Sequence, residues 1–300
     1  MLNVLTARSV GPDGVDLAYT TRGDPGHPTA LLIMGLAAQL VHWPEGFLDA
    51  LVARGLRVVC FDNRDSGAST HMVGAPPADL PATLAGDRSS VSYTLSAMAA
   101  DAVGLLDALG VDRAHLVGAS LGGGVAQTIT IEHPSRVASL TSMMSTTGAP
   151  GVGLLHPSTA RELFGGPAAT TRNAYTERAL RARKLVGSPL YPADPAEVVR
   201  IAGIAWDRDH DAAAVVRQAV ATVASGDRTP GLARVRVPTL VIHGLADTMC
   251  DPSGGRATAA AIPGAELLLV EGVGHDLPAA LWPVIADAIA ANARRAGPPP

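Results

Sequence analysis

The chain has 300 residues, 47% of them apolar and 17% charged, with a formal net charge of −4. A chain of that composition buries a large core, which excludes intrinsic disorder. Lys184 is the only lysine and no basic cluster stands out, so no nucleic-acid partner is expected. The longest apolar stretch, Ala30–Trp43, is broken by Gln39 and His42. It falls short of the roughly 20 residues that cross a bilayer, so no membrane span is expected either. The N-terminal stretch lacks the basic run, apolar segment and small-residue cleavage site of a secretory signal, and a cytoplasmic location is the expectation. Cys60 and Cys250 form no disulfide framework and have no neighbour at zinc-ligand spacing. They read as buried or incidental thiols, with no metal or cofactor implied.

In chain order, Val15–Thr21 followed by Gly23, Asp24, Pro25 and Gly26 reads as part of an antiparallel hairpin. Short apolar runs bounded by turn residues follow at Thr29–Met34, Arg57–Asp62, Ala114–Gly118, Val137–Met144, Thr239–His243 and Glu266–Glu271, and each predicts a buried strand. Between them, Leu95, Met98, Ala102, Leu106 and Leu109 recur at helical spacing, with Thr94 as N-cap and Gly110 as the stop. Leu121–Glu132 predicts a second helix, ended by Pro134. Alternation of this kind gives a mostly parallel sheet flanked by helices. From Gly148 to Leu232 no strand pattern occurs. Helical stretches at Ala168–Leu185 and Asp211–Ser225 appear instead, separated by prolines that include Pro157 and Pro195. The organisation expected is a core of residues 1–147 and 233–300 interrupted by a helical cap, 148–232. Arg294–Pro300 reads as a frayed tail.

The strongest chemical signal is Gly118-Ala119-Ser120-Leu121-Gly122, which lies between a predicted strand and a predicted helix. A serine on so sharp a turn needs small residues two positions to either side, and Gly118 and Gly122 supply them. Gly123 and Gly124 extend the small stretch and let the helix lie close to the sheet. A hydroxyl becomes a nucleophile only with a base, and the base needs an acid to orient it. His275, on the glycine-rich loop after the last predicted strand, is the expected base. His243 and His115 lie inside strand patterns and His133 at a helix end, so they read as packed or surface residues. His42 and His71 lie in loops and stay open as pocket-rim residues. Asp247, just after Thr239–His243, leads as the acid, with Asp251 and Asp276 as alternatives. Chain order Ser, Asp, His is that of an α/β-hydrolase triad. The oxyanion donors expected are the backbone N–H groups of Leu121 and of Leu36, in the turn that Gly35 permits. Met34, Leu36, Leu121, Met143, Met144 and Trp206 are candidates for lining an apolar substrate pocket under the cap. Arg64, in Asp62-Asn63-Arg64-Asp65, is either a substrate carboxylate clamp or a loop staple. The staple is favoured because Asp62 and Asp65 stand within the same loop.

On LLIMGLAAQLVHWPEGF, CFDNRDSGAST, the long run ending LVGASLGG, VPTLVIHGLAD and VEGVGHDLP, the chain resembles the α/β-hydrolase superfamily. Within it, the likeness is to lid-bearing serine esterases of the aclacinomycin methylesterase-like group. It implies an α/β-hydrolase fold, cofactor-independent hydrolysis of an apolar small-molecule ester through an acyl-enzyme, Ser120, Asp247 and His275 as the triad, and a mainly structural Asp62–Ser69 loop. Met34-Gly35, where many superfamily members carry His-Gly, agrees with the methylesterase-like group. Serine in place of aspartate at the elbow argues against the dehalogenase and epoxide hydrolase branches. The same triad would also serve lactone, thioester or carbon–carbon bond hydrolysis, and a receptor without catalysis is the alternative from another class.

Overall fold

The structure, a computed structural model, describes residues 3–164, 166 and 168–297. In chain order its elements are β1 (Leu5–Val10), β2 (Val15–Arg22), β3 (Thr29–Ile33), α1 (Glu45–Val52), β4 (Arg57–Phe61), α2 (Leu80–Leu84), α3 (Leu95–Ala108), β5 (Ala114–Ala119), α4 (Leu121–Glu132) and β6 (Val137–Met143). There follow α5 (Pro157–Phe164), α6 (Arg172–Val186), α7 (Pro195–Arg208), α8 (Ala212–Ala224), α9 (Thr229–Leu232), β7 (Thr239–Gly244), α10 (Ser253–Ala261), β8 (Glu266–Val270) and α11 (Trp282–Arg294).

The eight strands form one sheet in the order β1-β2-β4-β3-β5-β6-β7-β8. All pairings from β4 through β3 to β8 are parallel, while β2 runs antiparallel to β1 and β4. Alternate residues feed two cores. Leu31, Ile33, Val59 and Leu116 pack with α3 and α4 on one face. Ala30, Leu32, Val58 and Val117 pack with α1 and α11 on the other. Covering both faces removes the polar alternation of a half-exposed sheet, which is why these strands read as continuous apolar runs.

Each of the six apolar runs forms a strand, with ends within one residue of expectation, but only five are buried: β8, at the edge of the sheet, has no buried residue. The hairpin closes on the opposite side from the one expected. Gly11 and Gly14, both at positive φ, turn β1 back onto β2, whereas the Gly23–Gly26 segment leads to β3, which is separated from β2 by β4. Strand β1 gave no sequence signal because only Ala7 and Val10 of its six residues are buried. A second correction concerns the prolines between β6 and β7. Pro157 and Pro195 do not separate helices but open α5 and α7, where a fixed φ and a missing N–H cost nothing. Asp194, Thr171 and Asp211 cap α7, α6 and α8 through side-chain oxygens. Of the expected tail, Arg294 ends α11, and Pro298–Pro300 lie outside the described residues.

The helical insertion is tied to the sheet by buried charge. Arg217 of α8 makes two hydrogen bonds to Asp65, at 2.7 and 2.8 Å, and Arg208 of α7 pairs with Asp62. Burial pushes the Asp62 carboxyl up; Arg208 and the Leu40 and Ala68 amides oppose that rise by favouring the charged form. Arg64 is a staple, but with other partners than expected: Asp101 of α3 at 2.6 and 2.7 Å and Asp13 at 2.9 Å. Its guanidinium is fully buried, which puts even its unpaired Nη1 out of reach of a substrate carboxylate, so the clamp reading fails.

Candidate active site

Parallel strands bring their C-terminal loops to one edge of a sheet, which is where α/β folds place ligands. Ser120 follows β5, Asp247 follows β7 and His275 follows β8. Ser120 adopts φ 56° and ψ −122°, a conformation that side chains normally avoid. Its N–H donates to Met143 O at 2.9 Å, and its carbonyl accepts from Gly123 N and from Ser145 Oγ. The glycines are dictated by contact. A Cβ on Gly118 would stand 2.2 Å from the Gly122 carbonyl oxygen, and one on Gly122 would stand 2.0 Å from that of Ile33. A Cβ on Gly123 would meet Ser145 at 2.6 Å, so Gly123 does bring helix and sheet together. Gly124 instead faces Leu95 and Arg228, away from the sheet.

The β3 loop approaches closely, with a Gly35 Cβ position 3.0 Å from Ser120 Cβ. Its backbone is held from several sides. Asn63 Nδ2 donates to Met34 O at 3.0 Å, Ala38 N donates to Gly35 O, and Gln218 Oε1 of α8 accepts from Ala37 N at 3.2 Å. Among the described residues the N–H groups of Leu36 and Leu121 donate to no protein acceptor. Two donors left free beside a serine, one of them at a helix N-terminus, suit a developing oxyanion.

His275 Nδ1 lies 2.7 Å from Asp247 Oδ2. Asp247 is buried, and its other oxygen accepts from Met249 N and Cys250 N at 2.8 and 2.9 Å. Burial alone would raise its pKa, but the hydrogen bonds from His243 and His275 and the Cys250 amide outweigh it and hold the carboxyl well below the usual range. Asp251 is exposed and bonds to Ser253 N, and Asp276 bonds to Ser188 and Arg183, so neither alternative reaches the ring. No hydrogen bond joins the Ser120 hydroxyl to His275 among the described residues; in ligand-free sites such bonds often tighten only with substrate.

His243 is buried in β7 as expected, yet it also touches the acid: its Nε2 lies 3.4 Å from Asp247 Oδ2 and 2.8 Å from Cys250 O. The four-residue spacing of His243 and Asp247 was the available signal. His115 bonds to Ser139 inside the core, and burial lowers it to about 4. His71 lies beside Asp209 and Asp211, between the core loop and the insertion.

Met34 and Met144 are half-buried and pack at the edge of the second core, and Leu36 does the same at the first. Met143 departs from expectation: at 1% exposure it is a core residue, set among Val117, Ile242 and Ile285, and it lines no surface. The Trp206 ring lies between Tyr175 and His210. It borders a recess of about 410 Å³ formed by Trp206–Asp211, whose wall includes none of Ser120, Asp247 and His275. Among the described residues no group of three or more His, Cys, Asp or Glu is placed to hold a metal, and no helix is long and apolar enough to cross a membrane.

The chain is 30% identical to the rhodomycin D methylesterase of Streptomyces peucetius, over 97% of this chain and 99% of that one. It is equally similar to the rhodomycin D methylesterase of Streptomyces sp. strain C5. Among solved structures, a hydrolase from Pseudomonas aeruginosa superposes with a TM-score of 0.69 at 26% identity, covering 98% of both chains. A thermophilic esterase from Thermogutta terrifontis shares the fold, with a TM-score of 0.70 at 20% identity over 99% of this chain and 100% of that one. A family model described as the alpha/beta hydrolase fold matches residues 28–278, and the chain belongs to that family.

Proposed function

We propose that this hydrolase cleaves apolar small-molecule carboxylic esters through an acyl-enzyme on Ser120. The observation that carries the reading is the hydrogen-bonded Asp247–His275 pair at the sheet edge that also holds the Ser120 elbow. The similarity to two methylesterases supports an ester substrate.

In this mechanism His275 Nε2 takes the Ser120 hydroxyl proton as Oγ attacks the ester carbonyl carbon. Charge on the carbonyl oxygen is met by the Leu36 and Leu121 N–H groups. Collapse of the tetrahedral species breaks the C–O bond, and His275 returns the proton to the leaving alcohol. Water then attacks the acyl-enzyme, giving its proton to His275, which passes it to Ser120 Oγ as the acyl C–Oγ bond breaks and the acid is released. Asp247 fixes the tautomer that leaves Nε2 free and stabilises the imidazolium, which its hold as a carboxylate suits. Met34, Leu36, Leu121 and Met144 are the candidates for the apolar wall, and the insertion covers it.

The test is hydrolysis of p-nitrophenyl acetate, butyrate and octanoate and of an aryl methyl ester by wild type and Ser120→Ala, both shown to be folded by circular dichroism. Turnover that disappears in Ser120→Ala supports the reading. A folded wild type without turnover, or turnover that survives in Ser120→Ala, refutes it. Labelling by a fluorophosphonate separates a reactive serine from a receptor.

A further inference from the structure

We propose that the insertion seats the base: Arg183 and Ser188, at the end of α6 and just beyond it, are positioning residues for His275 that act through Gly274 and Asp276. The inference deepens the esterase reading and rests on His275 as its base.

Residues 183–190 hold the base loop along its length. Val186 O accepts from His275 N at 2.6 Å, and Leu190 N donates to Gly272 O at 3.3 Å. Ser188 Oγ accepts from Gly274 N at 3.0 Å and donates to Asp276. Arg183 Nη1 pairs with Asp276 Oδ2 at 2.8 Å. Sterics give a second and independent sign of the same fit. A Cβ on Gly274 would lie 2.4 Å from the carbonyl oxygens of Val186 and Gly187, and one on Gly272 would lie 2.3 Å from the Leu190 side chain. The glycines of this loop therefore make room for the insertion. On the core side, among the described residues, Ala246 N donates to Val273 O at 2.9 Å and Trp282 Nε1 to Leu277 O at 3.0 Å. The His275 ring is thus fixed by Asp247, while its backbone is fixed by α6. A shift of the α6 end moves the base.

The charged and titratable groups bonded at the loop are Asp247 with His243 behind it, Asp276 and Arg183; His42, from the loop after β3, is the further histidine that feels Arg183. Burial, with Arg183 and Arg208 adding to it, lowers His42 to about 4, so His42 stays neutral in the working range. Removing Arg183 leaves the Asp276 charge uncompensated on the residue that follows His275 and favours imidazolium. Removing the Asp276 charge leaves Arg183 and disfavours it.

The test uses the full chain with Ser188→Ala, Ser188→Thr, Arg183→Leu, Arg183→Lys and Asp276→Asn. Its readouts are kcat and KM for p-nitrophenyl butyrate across pH, and the His275 titration by NMR in ¹⁵N-histidine-labelled protein. Ser188→Ala is expected to lower kcat about tenfold with KM nearly unchanged, because the base is displaced rather than the pocket. Ser188→Thr, which keeps the hydroxyl, restores kcat. Arg183→Leu should move the acidic limb and the His275 midpoint up by about half a pH unit, and Asp276→Asn should move both down by a similar amount. Arg183→Lys, with the charge kept, should leave them in place. A loss of folding alone does not produce opposite signs. Folded variants with wild-type kcat and wild-type His275 midpoints overturn the proposal. The NMR readout needs no turnover, so an inactive wild type would refute the esterase reading while the His275 midpoints still judge the seat.

Discussion

Gly122→Ala is the substitution that tests the elbow most directly. The added Cβ would lie 2.0 Å from Ile33 O and 2.7 Å from Met34 O, where an ordinary contact is about 3.5 Å. Both obstacles are backbone, so the start of α4 and the end of β3 must part by roughly 1 Å or more. Overpacking of this kind costs about 1–3 kcal/mol of stability. The catalytic cost is expected to be larger, because the two segments forced apart carry the Leu121 and Leu36 N–H groups. A misplacement near 1 Å is enough for about a hundredfold loss of kcat. The control is Gly124→Ala, whose Cβ would meet only the ends of the Leu95 and Arg228 side chains, at 3.1 and 3.4 Å. It should hold kcat within about threefold of wild type and regain up to about 1 kcal/mol of helix propensity. The assay is the initial rate of p-nitrophenyl acetate hydrolysis, with thermal melting followed by circular dichroism on the same samples. A folded Gly122→Ala enzyme whose kcat stays within about threefold of wild type would refute the steric account of the elbow.

Asp247→Asn should keep the fold and lower kcat by about 10⁴-fold, through loss of the correct His275 tautomer; a loss below about tenfold would remove Asp247 from the mechanism. Asp247 also carries a pH signature. Its folded pKa lies below the roughly 3.9 of an unfolded Asp, so its stabilisation is complete above that value and is lost as pH falls toward the folded pKa. Urea midpoints of wild type should fall on acidification below about pH 4 more steeply than those of Asp247→Asn. Arg217→Met strands the buried Asp65 with, among the described residues, only Tyr93 and the Met72 amide and should cost about 3 kcal/mol in urea denaturation, part of it recovered by adding Asp65→Asn. Cys60 and Cys250 are buried thiols whose pKa burial pushes up; Ellman's reagent should find neither in the native protein and both after unfolding.

The parts of the fold legible in the sequence are those whose cause is local. Five strands buried on both faces, the α3 stripe and the glycine-flanked Ser120 each leave a pattern within a dozen residues. Asp247 and His275 followed from their places after strands, and the structure joins them. What escaped depends on residues far apart in the chain. Asp65 and Arg217 are 152 positions apart, and Asp62 and Arg208 are 146 apart, so the sequence offered Asp62 and Asp65 to Arg64 when both were committed to the insertion. The seat of His275 on residues 183–190 has the same character. Its only local trace was the glycines of VEGVGHD, which look like freedom in sequence and prove to be clearance. Met143 was misplaced because a strand run buried on both faces does not show which side chain faces which core. The edge strand β1 was missed because an exposed strand has little hydrophobic pattern to read.

The Ser120 backbone has a consequence for how this protein can change. Side chains held in such a sparsely populated conformation cost on the order of 1–3 kcal/mol, and glycine is the residue that escapes most of it. Ser120→Gly should therefore melt higher than wild type while losing all turnover. Thermal robustness and the proposed chemistry pull in opposite directions at this one position, and a library screened for heat resistance alone would discard the proposed nucleophile first.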